Sequence, residues 1–188
     1  VTRHLLYARF WNQFLYNIDL VPNKEPFLKR VAHGMILGAD GEKMAKSRPE
    51  YCVDPIDTIN EYGADALRTY EMFIGDYEKD SVWSENGLKG CKKFLDRIYR
   101  MKDRLVKDDN YSKELESIIH KTIKKVTNDM LNMKFNTAVS SLMILVNEYD
   151  KMNNITTADY KVLLTLLNPM APHITEELNE ECSLGDIL

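Results

Sequence analysis

Four apolar stripes with helical spacing dominate the second half of the chain. Within each stripe, apolar residues recur three or four positions apart with polar residues between them, as in a helix that buries one face. Short polar breaks at residues 107–111 and 151–157 are typical of turns between antiparallel helices. The pattern predicts a helical bundle over residues 84–183. The stripes consist of Phe94, Ile98, Met101 and Leu105; Leu115, Ile118, Ile119, Ile123, Val126 and Met130; Leu131, Phe135, Val139, Leu142, Val146 and Tyr149; and Tyr160, Leu163, Leu164 and Leu167.

The start of the chain predicts one more amphipathic helix, over residues 3–17. Leu6, Phe10, Phe14 and Ile18 recur at four-residue intervals, and Trp11 and Leu15 widen the same apolar face. We expect the aromatic members of this face to belong to a hydrophobic core.

A short apolar run over residues 31–37 follows and ends at Gly38. It is too brief for a helix, and it predicts a strand that is buried on both faces in a parallel sheet. A helix followed by such a strand is half of a βαβ unit, so residues 1–40 are interpreted as the closing part of an α/β sheet. The predicted domains are therefore residues 1–78 and the helical residues 79–188.

Two further helices are predicted between the strand and the bundle. Asp54 can cap a helix that has Pro55 at its first position, and Gly63 interrupts it. A second helix is predicted from residue 64 to residue 74. Within it, Asp65 and Arg68 are expected to form an intrahelical ion pair.

Composition excludes several classes of protein. Of 188 residues, 44% are hydrophobic and 29% are charged, which is ordinary for a globular protein and not for a disordered one. No apolar run approaches the roughly 20 residues of a membrane span. Three cysteines that are widely separated argue against a disulfide framework and favour a reducing, cytoplasmic location. The chain begins without Met or an apolar leader, so we expect it to be a piece of a longer protein.

Charge is unevenly distributed along the chain, although the net charge is only −4. Residues 89–125 carry 12 Lys and Arg against 6 Asp and Glu, whereas residues 126–188 carry 3 against 9. Lys93, Arg97 and Arg100 alternate with the first apolar stripe of the bundle and would form a positive outer face. Such a face fits either a solvated helix surface or contact with a nucleic-acid backbone.

The segment most indicative of chemistry is Gly41-Glu42-Lys43-Met44-Ala45-Lys46-Ser47-Arg48. It places two lysines three residues apart, with a hydroxyl beside the second, in a loop directly after the predicted strand. Two ammonium groups and a hydroxyl are suited to a polyphosphate whose charge grows during a reaction. Spacing alone also allows a solvated basic loop.

The ordered set of motifs resembles the leucyl-tRNA synthetases of the bacterial type, a family of class I aminoacyl-tRNA synthetases. Residues 43–47 resemble the family's KMSKS signature, with Ala45 in place of the first serine and Pro49 where glycine is usual. The flanking segments that carry the resemblance are Arg3-His4-Leu5-Leu6-Tyr7-Ala8-Arg9-Phe10, Gly34-Met35-Ile36-Leu37-Gly38, Glu61-Tyr62-Gly63-Ala64-Asp65-Ala66-Leu67-Arg68, Phe94-Leu95-Asp96-Arg97-Ile98-Tyr99-Arg100 and Pro169-Met170-Ala171-Pro172-His173-Ile174-Thr175-Glu176-Glu177-Leu178.

The resemblance implies a mostly α fold, in which the closing part of a Rossmann-like catalytic domain precedes an antiparallel helical bundle that binds tRNA. It also implies ATP-dependent formation of leucyl-adenylate and attachment of leucine to tRNA(Leu), with Mg²⁺ that no residue identifiable here would bind. Catalytic roles are implied for Lys43 and Lys46. The implied ATP contacts are His33, Met35, Lys43, Met44, Lys46 and Ser47, and the implied tRNA contacts, to phosphate and sugar, are Lys93, Arg97 and Arg100.

The family's second ATP signature, His-x-Gly-His, does not occur in the chain. We therefore expect catalysis to require the remainder of a synthetase as a partner. Two alternatives stay open: a stand-alone RNA-binding or interaction module with a vestigial lysine loop, or a methionyl-, valyl- or isoleucyl-tRNA synthetase. Tyr70-Glu71-Met72-Phe73 favours the leucine enzyme. His173 is expected to help start the last helix, and Trp83 to pack at the domain junction.

Overall fold

The structure is a computed structural model that describes residues 2–185, and these residues form two compact units that divide between Ala32 and His33. The first unit consists of helix α1 (Thr2–Asn17) and an irregular segment that follows it. The Arg9 guanidinium donates two hydrogen bonds of 2.7 Å to the Glu25 carboxylate, and the Asn12 amide donates to the carbonyls of Asn23 and Lys24. These bonds fold the irregular segment back on the helix.

The predicted helix at the start of the chain is confirmed, but the expected burial of its aromatic face is wrong. Phe10, Trp11 and Phe14 are 67%, 57% and 48% exposed. They make edge-to-face contacts with one another, with ring centroids 6.4 Å and 5.8 Å apart. A unit of about 30 residues is too small to enclose a core of its own, which explains the exposure.

The second unit contains seven α-helices and two small parallel sheets within the described residues. Its elements are β1 (Ile36–Leu37), α2 (Pro55–Tyr62), α3 (Ala64–Phe73), β2 (Ser81–Val82), α4 (Glu85–Arg100), β3 (Leu105–Val106), α5 (Glu116–Leu131), α6 (Phe135–Tyr149), β4 (Ile155–Thr156), α7 (Thr157–Leu167) and α8 (Pro172–Cys182), with 3₁₀ turns at Pro49–Tyr51 and Met101–Arg104. Strand β1 pairs with β2, and β3 pairs with β4. The chain is thus mostly helical, as expected.

The strand predicted over residues 31–37 is reduced to two residues that are only half-buried. Its pairing is parallel, with Ile36 opposite Ser81 and Leu37 opposite Val82. Strand β1 pairs only with β2 and through a single bridge to Lys43, and both of its residues remain half-buried in this two-stranded sheet. The expectation of full burial was therefore wrong.

Local sequence signals set the bounds of α2 and α3 as predicted. The Asp54 carboxylate accepts a 2.7 Å hydrogen bond from the Ile56 amide and caps α2. Gly63 separates the two helices with a φ of 90°, a value that disfavours residues with a Cβ. The predicted pair between Asp65 and Arg68 does not form, since Asp65 binds the first turn of α8 and Arg68 binds the turn between α7 and α8 instead.

The core lies among α3 to α8 and consists mainly of the predicted stripes. Two buried tyrosines cross-link it, because the Tyr149 hydroxyl donates to the Asp159 carbonyl and the Tyr160 hydroxyl donates to the Ile98 carbonyl, both at 2.9 Å. Leu131 was assigned to the third stripe, but it ends α5 and is 80% exposed. No helix of the described residues is long and apolar enough to cross a membrane.

Candidate functional site

The lysine loop, defined as residues 38–48, is a compact turn that follows β1. The Gly38 amide donates to the Glu42 carbonyl at 2.8 Å, and the Gly41 amide donates to the Gly38 carbonyl at 2.9 Å. Gly41 has a φ of 79°, which explains why glycine occupies the turn. An antiparallel bridge between Leu37 and Lys43 brings the chain back beside β1. The loop is therefore anchored to the sheet at its base.

Arg48 braces the lysine loop from its far end. One guanidinium nitrogen donates to the Asp40 carboxylate at 2.7 Å, and the other donates to the Lys43 carbonyl at 2.9 Å. Sequence reasoning did not single out this pair. The sequence signal that could have predicted it is the presence of opposite charges, Asp40 and Arg48, on either side of the turn at Gly41.

The three polar groups predicted to act on phosphate are all accessible. Lys43, Lys46 and Ser47 are exposed, and neither lysine forms an ion pair with another described residue. The half-buried Ala45 offers its carbonyl to the Arg48 amide at 2.8 Å and to the Cys52 thiol at 3.1 Å. Pro49 begins a 3₁₀ turn, where its missing N–H costs no hydrogen bond. Both departures from the KMSKS pattern are thus accommodated.

A cavity of about 540 Å³ opens beside the lysine loop. His33, Met35, Lys43 and Met44 line it together, whereas Lys46 and Ser47 are not among its lining residues. His33 Nδ1 lies 2.7 Å from the Gly34 carbonyl oxygen, and the ring meets Tyr77 edge to face. Four of the six predicted ATP contacts therefore share one cavity, and the other two lie further along the loop.

Close backbone packing positions the side of the cavity that His33 and Met35 line. The Gly34 amide donates to the Tyr77 carbonyl at 2.8 Å. A Cβ on Gly34 would lie 2.0 Å from the Lys79 carbonyl oxygen, so only glycine allows this approach. The Met35 amide donates to the Asp80 carboxylate at 2.7 Å.

The same cavity is lined by one carboxyl group whose pKa is raised. Glu71 lines the wall on α3, and desolvation raises the pKa of its carboxyl group, while the charge of Arg68 partly opposes the rise. Sequence reasoning did not identify Glu71 as part of the site, because only the tertiary structure brings this residue of α3 to the same cavity as His33 and Met35.

The structure divides the predicted basic face of α4 into free and paired cations. Lys93 and Arg100 are exposed and form no ion pair within residues 2–185. Arg97 instead donates to the Asp150 carboxylate at 2.5 Å and to the Asn147 amide oxygen at 2.7 Å. Other cations of the basic run are also paired: Lys89 with Glu85, Lys92 with Asp96, Lys102 with Glu181, Arg104 with Asp150 and Lys125 with Asp129.

No group of three or more His, Cys, Asp and Glu side chains in the described part of the chain is placed to hold a metal ion. The lysine loop presents cations, and its Asp40 carboxylate is bound to Arg48. Mg²⁺ takes oxygen ligands, so the residues at this loop do not fit a magnesium site.

Comparison with known proteins identifies both parts of the chain. Residues 7–84 match the family model "tRNA synthetases class I (I, L, M and V)", and residues 112–186 match "Anticodon-binding domain of tRNA ligase". The leucine–tRNA ligase of Alkaliphilus oremlandii is 58% identical over 179 residues, which cover 95% of this chain and 22% of that protein. The chain thus spans about a fifth of the length of this curated relative.

Solved structures agree with the sequence matches. A ternary complex of the agnB2 LeuRS of Agrobacterium radiobacter K84 with tRNA and LeuAMS superposes with a TM-score of 0.79 at 29% identity, over 98% of this chain and 26% of the other. The methionyl-tRNA synthetase of Mycobacterium tuberculosis shares the fold, with a TM-score of 0.63 at 15% identity over 90% of this chain and 40% of the other. The chain belongs to the leucine–tRNA ligase family of class I aminoacyl-tRNA synthetases, where it corresponds to the end of the catalytic region followed by the anticodon-binding domain.

Proposed function

We propose that this chain supplies the lysine-loop side of an ATP site and an RNA-binding helical domain to an enzyme that attaches leucine to tRNA(Leu). The observation that carries the proposal is the shared cavity of His33, Met35, Lys43 and Met44, in a chain 58% identical to a leucine–tRNA ligase. The proposed domains are residues 1–78, at the end of the catalytic region, and residues 79–188, the tRNA-binding bundle. A cytoplasmic location is part of the proposal.

In the proposed reaction, the leucine carboxylate attacks the α-phosphorus of ATP. A bond forms between a carboxylate oxygen and that phosphorus, and the bond to the pyrophosphate oxygen breaks. Negative charge grows on the departing pyrophosphate, where the ammonium groups of Lys43 and Lys46 and the hydroxyl of Ser47 donate hydrogen bonds. Donors held at the site of developing charge stabilise a transition state more than a ground state.

The other site residues have positioning roles in this proposal. His33 and Met35 contact the adenine, and the Arg48 brace restricts the positions that Lys43 can adopt, because it binds the Lys43 carbonyl at 2.9 Å. Mg²⁺, when present, would neutralise phosphate charge, and residues 2–185 contain no clustered His, Cys, Asp and Glu side chains that would hold it. The leucyl group then passes to the tRNA, whose phosphates and sugars contact the α4 face at Lys93, Arg97 and Arg100.

The role of the lysine loop can be tested by grafting this chain into the leucine–tRNA ligase of A. oremlandii, in place of the part of that protein that matches it. We expect leucine-dependent exchange of pyrophosphate into ATP by the graft. Lys46→Ala should lower the exchange rate by about 10²–10³, the loss expected for one transition-state donor. Lys121→Ala, at an exposed position of α5, is the control and should change the rate less than twofold.

Two results would contradict the catalytic role of the loop. A folded graft without exchange activity would mean that the loop of this chain is vestigial. A loss of less than threefold in Lys46→Ala would mean that Lys46 makes no contact specific to the transition state. Either result would favour the stand-alone RNA-binding alternative.

A further inference from the structure

Asp65 lies in the first turn of α3, is only 8% exposed, and binds a different helix. Its carboxylate accepts a 2.7 Å hydrogen bond from the Ile174 amide and lies 2.8 Å from His173 Nδ1. These are groups of the first turn of α8, more than 100 residues away in the chain. Ala171 occupies the N-cap position of α8 and provides no side-chain cap, and the first turn of α8 contains no acidic residue. Asp65 therefore serves as the N-terminal cap that α8 itself lacks.

Arg68 lies three residues further along α3 and binds the α7–α8 turn, residues 168–171, which immediately precedes α8. Its guanidinium donates to the Met170 carbonyl at 3.1 Å and to the Pro169 carbonyl at 3.0 Å, just beyond the end of α7. Helix α3 thus presents a negative charge to the start of α8 and a positive charge to carbonyls at the end of α7. Both charges have the sign that the exposed peptide groups of the helix ends favour.

The opposite end of α3 and the residues just after it line the lysine-loop cavity. Glu71 lies in the last turn of α3, Ile74 and Gly75 follow the helix, and all three line the cavity together with Lys43. A helix of ten residues is about 15 Å long, and its backbone hydrogen bonds hold its two ends at a fixed separation. Asp65 and Arg68 lie in the segment that matches the class I synthetase model, whereas the α7–α8 turn lies in the anticodon-binding match. Helix α3 therefore connects the two matched regions directly.

We propose that Asp65 and Arg68 are positioning residues that clamp the helical domain to the wall of the lysine-loop cavity. With the clamp formed, α3, the α7–α8 turn and the cavity wall move together. RNA bound to the helical domain then restricts the cavity through α3. This last step rests on the proposed function, whereas the clamp itself does not require RNA.

Amide hydrogen exchange measured by NMR on the 188-residue chain tests the clamp without RNA. Asp65→Ala should accelerate exchange of the Ile174 amide about 5–30-fold, the factor that the loss of one helix cap gives. It should also accelerate exchange of the Gly34 and Gly38 amides at the cavity and lysine loop. Arg68→Ala should give the same pattern.

Thr156→Ala is the matched control, because the Thr156 hydroxyl caps α7 by accepting from the Asp159 amide at 3.0 Å and does not touch α3. It should accelerate exchange at Asp159 and leave Gly34 and Gly38 unchanged. Asp65→Asn keeps an acceptor but loses the charge, so it should give the Asp65→Ala pattern at a smaller factor. This variant decides the question where Asp65→Ala does not fold.

Two outcomes would overturn the clamp. Unchanged exchange at Gly34 and Gly38 in the Asp65 and Arg68 variants would show that the contact stabilises α8 only. Acceleration of these amides by Thr156→Ala to the same degree would show that any loss of stability reaches the cavity.

Addition of tRNA(Leu) tests whether RNA bound to the helical domain restricts the cavity through α3, which is the coupling proposed here. The same experiment separates this coupling from the proposed function. In the unaltered chain, bound tRNA should slow exchange at Gly34 and Gly38. In Asp65→Asn it should bind within about threefold of the same affinity and slow their exchange less than in the unaltered chain. Equal slowing in both chains would overturn the coupling. A lack of tRNA binding by the unaltered chain would contradict the proposed RNA role, while the RNA-free measurement would still decide the clamp.

Discussion

Gly63 shows how a single backbone conformation determines where two helices separate. Its amide donates to the Ile59 carbonyl and closes α2, while its own carbonyl accepts from the Leu67 amide at the start of α3. A Cβ at this position would meet no described atom within 4 Å, yet its φ of 90° is one that residues with a side chain rarely adopt. Conformation, and not space, therefore requires glycine here.

We expect Gly63→Ala to lower the free energy of unfolding by about 1–2 kcal/mol, because alanine is strained at positive φ. Gly90→Ala is the matched control, since Gly90 lies within α4 and its Cβ would also meet open space. It should raise the free energy of unfolding by about 0.5–1 kcal/mol through helix propensity. Urea denaturation of the two variants measures both values, and a loss of equal size in both would contradict the argument from φ.

At the scale of one element, α4 combines a buried face with a charged face whose cations differ in availability. Lys93 and Arg100 lie seven positions apart on its exposed face without ion pairs in the described structure, while Arg97 between them is bound to Asp150. Cations that contact RNA phosphate release counterions, and each adds about one unit to the slope of log affinity against log salt. Cations already paired within the protein contribute less.

We expect the double variant Lys93→Ala and Arg100→Ala to reduce the salt slope of tRNA binding by about two, and Arg97→Ala to reduce it by less than one. A control that replaces Lys151 and Lys161 in the acidic part of the chain should leave the slope unchanged. Altered anticodon bases should leave the affinity nearly unchanged, because phosphate and sugar contacts do not read sequence. Binding measured over a salt series decides this, and equal slopes for all chains would identify a solvated helix face.

At the scale of the whole molecule, the hydrophobic core extends across the predicted domain boundary. Ala66 and Tyr70 of α3 are 1% and 2% exposed and belong to the same apolar cluster as α4 to α8. Tyr70 packs edge to face on Trp83 at 4.9 Å, and its hydroxyl accepts from the Ser84 amide at 2.6 Å. The helical bundle thus uses residues from before the boundary to complete its core.

We expect a shortened chain that begins at residue 54 to melt cooperatively with strong helical circular dichroism. A chain that begins at residue 84 should be less stable by about 3–5 kcal/mol, the loss typical for one large buried aromatic side chain. Tyr70→Ala in the longer version isolates that contribution. Equal melting temperatures for the two shortened chains would show that the bundle folds independently of α3.

Local structure and family membership could both be predicted from the amino-acid sequence alone. Helices α2 and α3 could be bounded from Asp54, Pro55 and Gly63, and the bundle from its apolar stripes, because capping and helical periodicity act over three or four residues. The KMSKS-like residues 43–47 and their flanking segments predicted the leucine–tRNA ligase family, and the comparisons confirmed it.

The pairing of charged groups and the enclosure of apolar groups depend on how whole helices pack. Arg97 binds Asp150, Asp65 binds the start of α8, and the aromatic face of α1 is exposed. The partners of Arg97 and Asp65 are 53 and 109 residues away in the chain. Charges so distant in sequence are brought together only when whole helices pack, and burial depends on how much chain surrounds a face, so neither property can be obtained from local patterns.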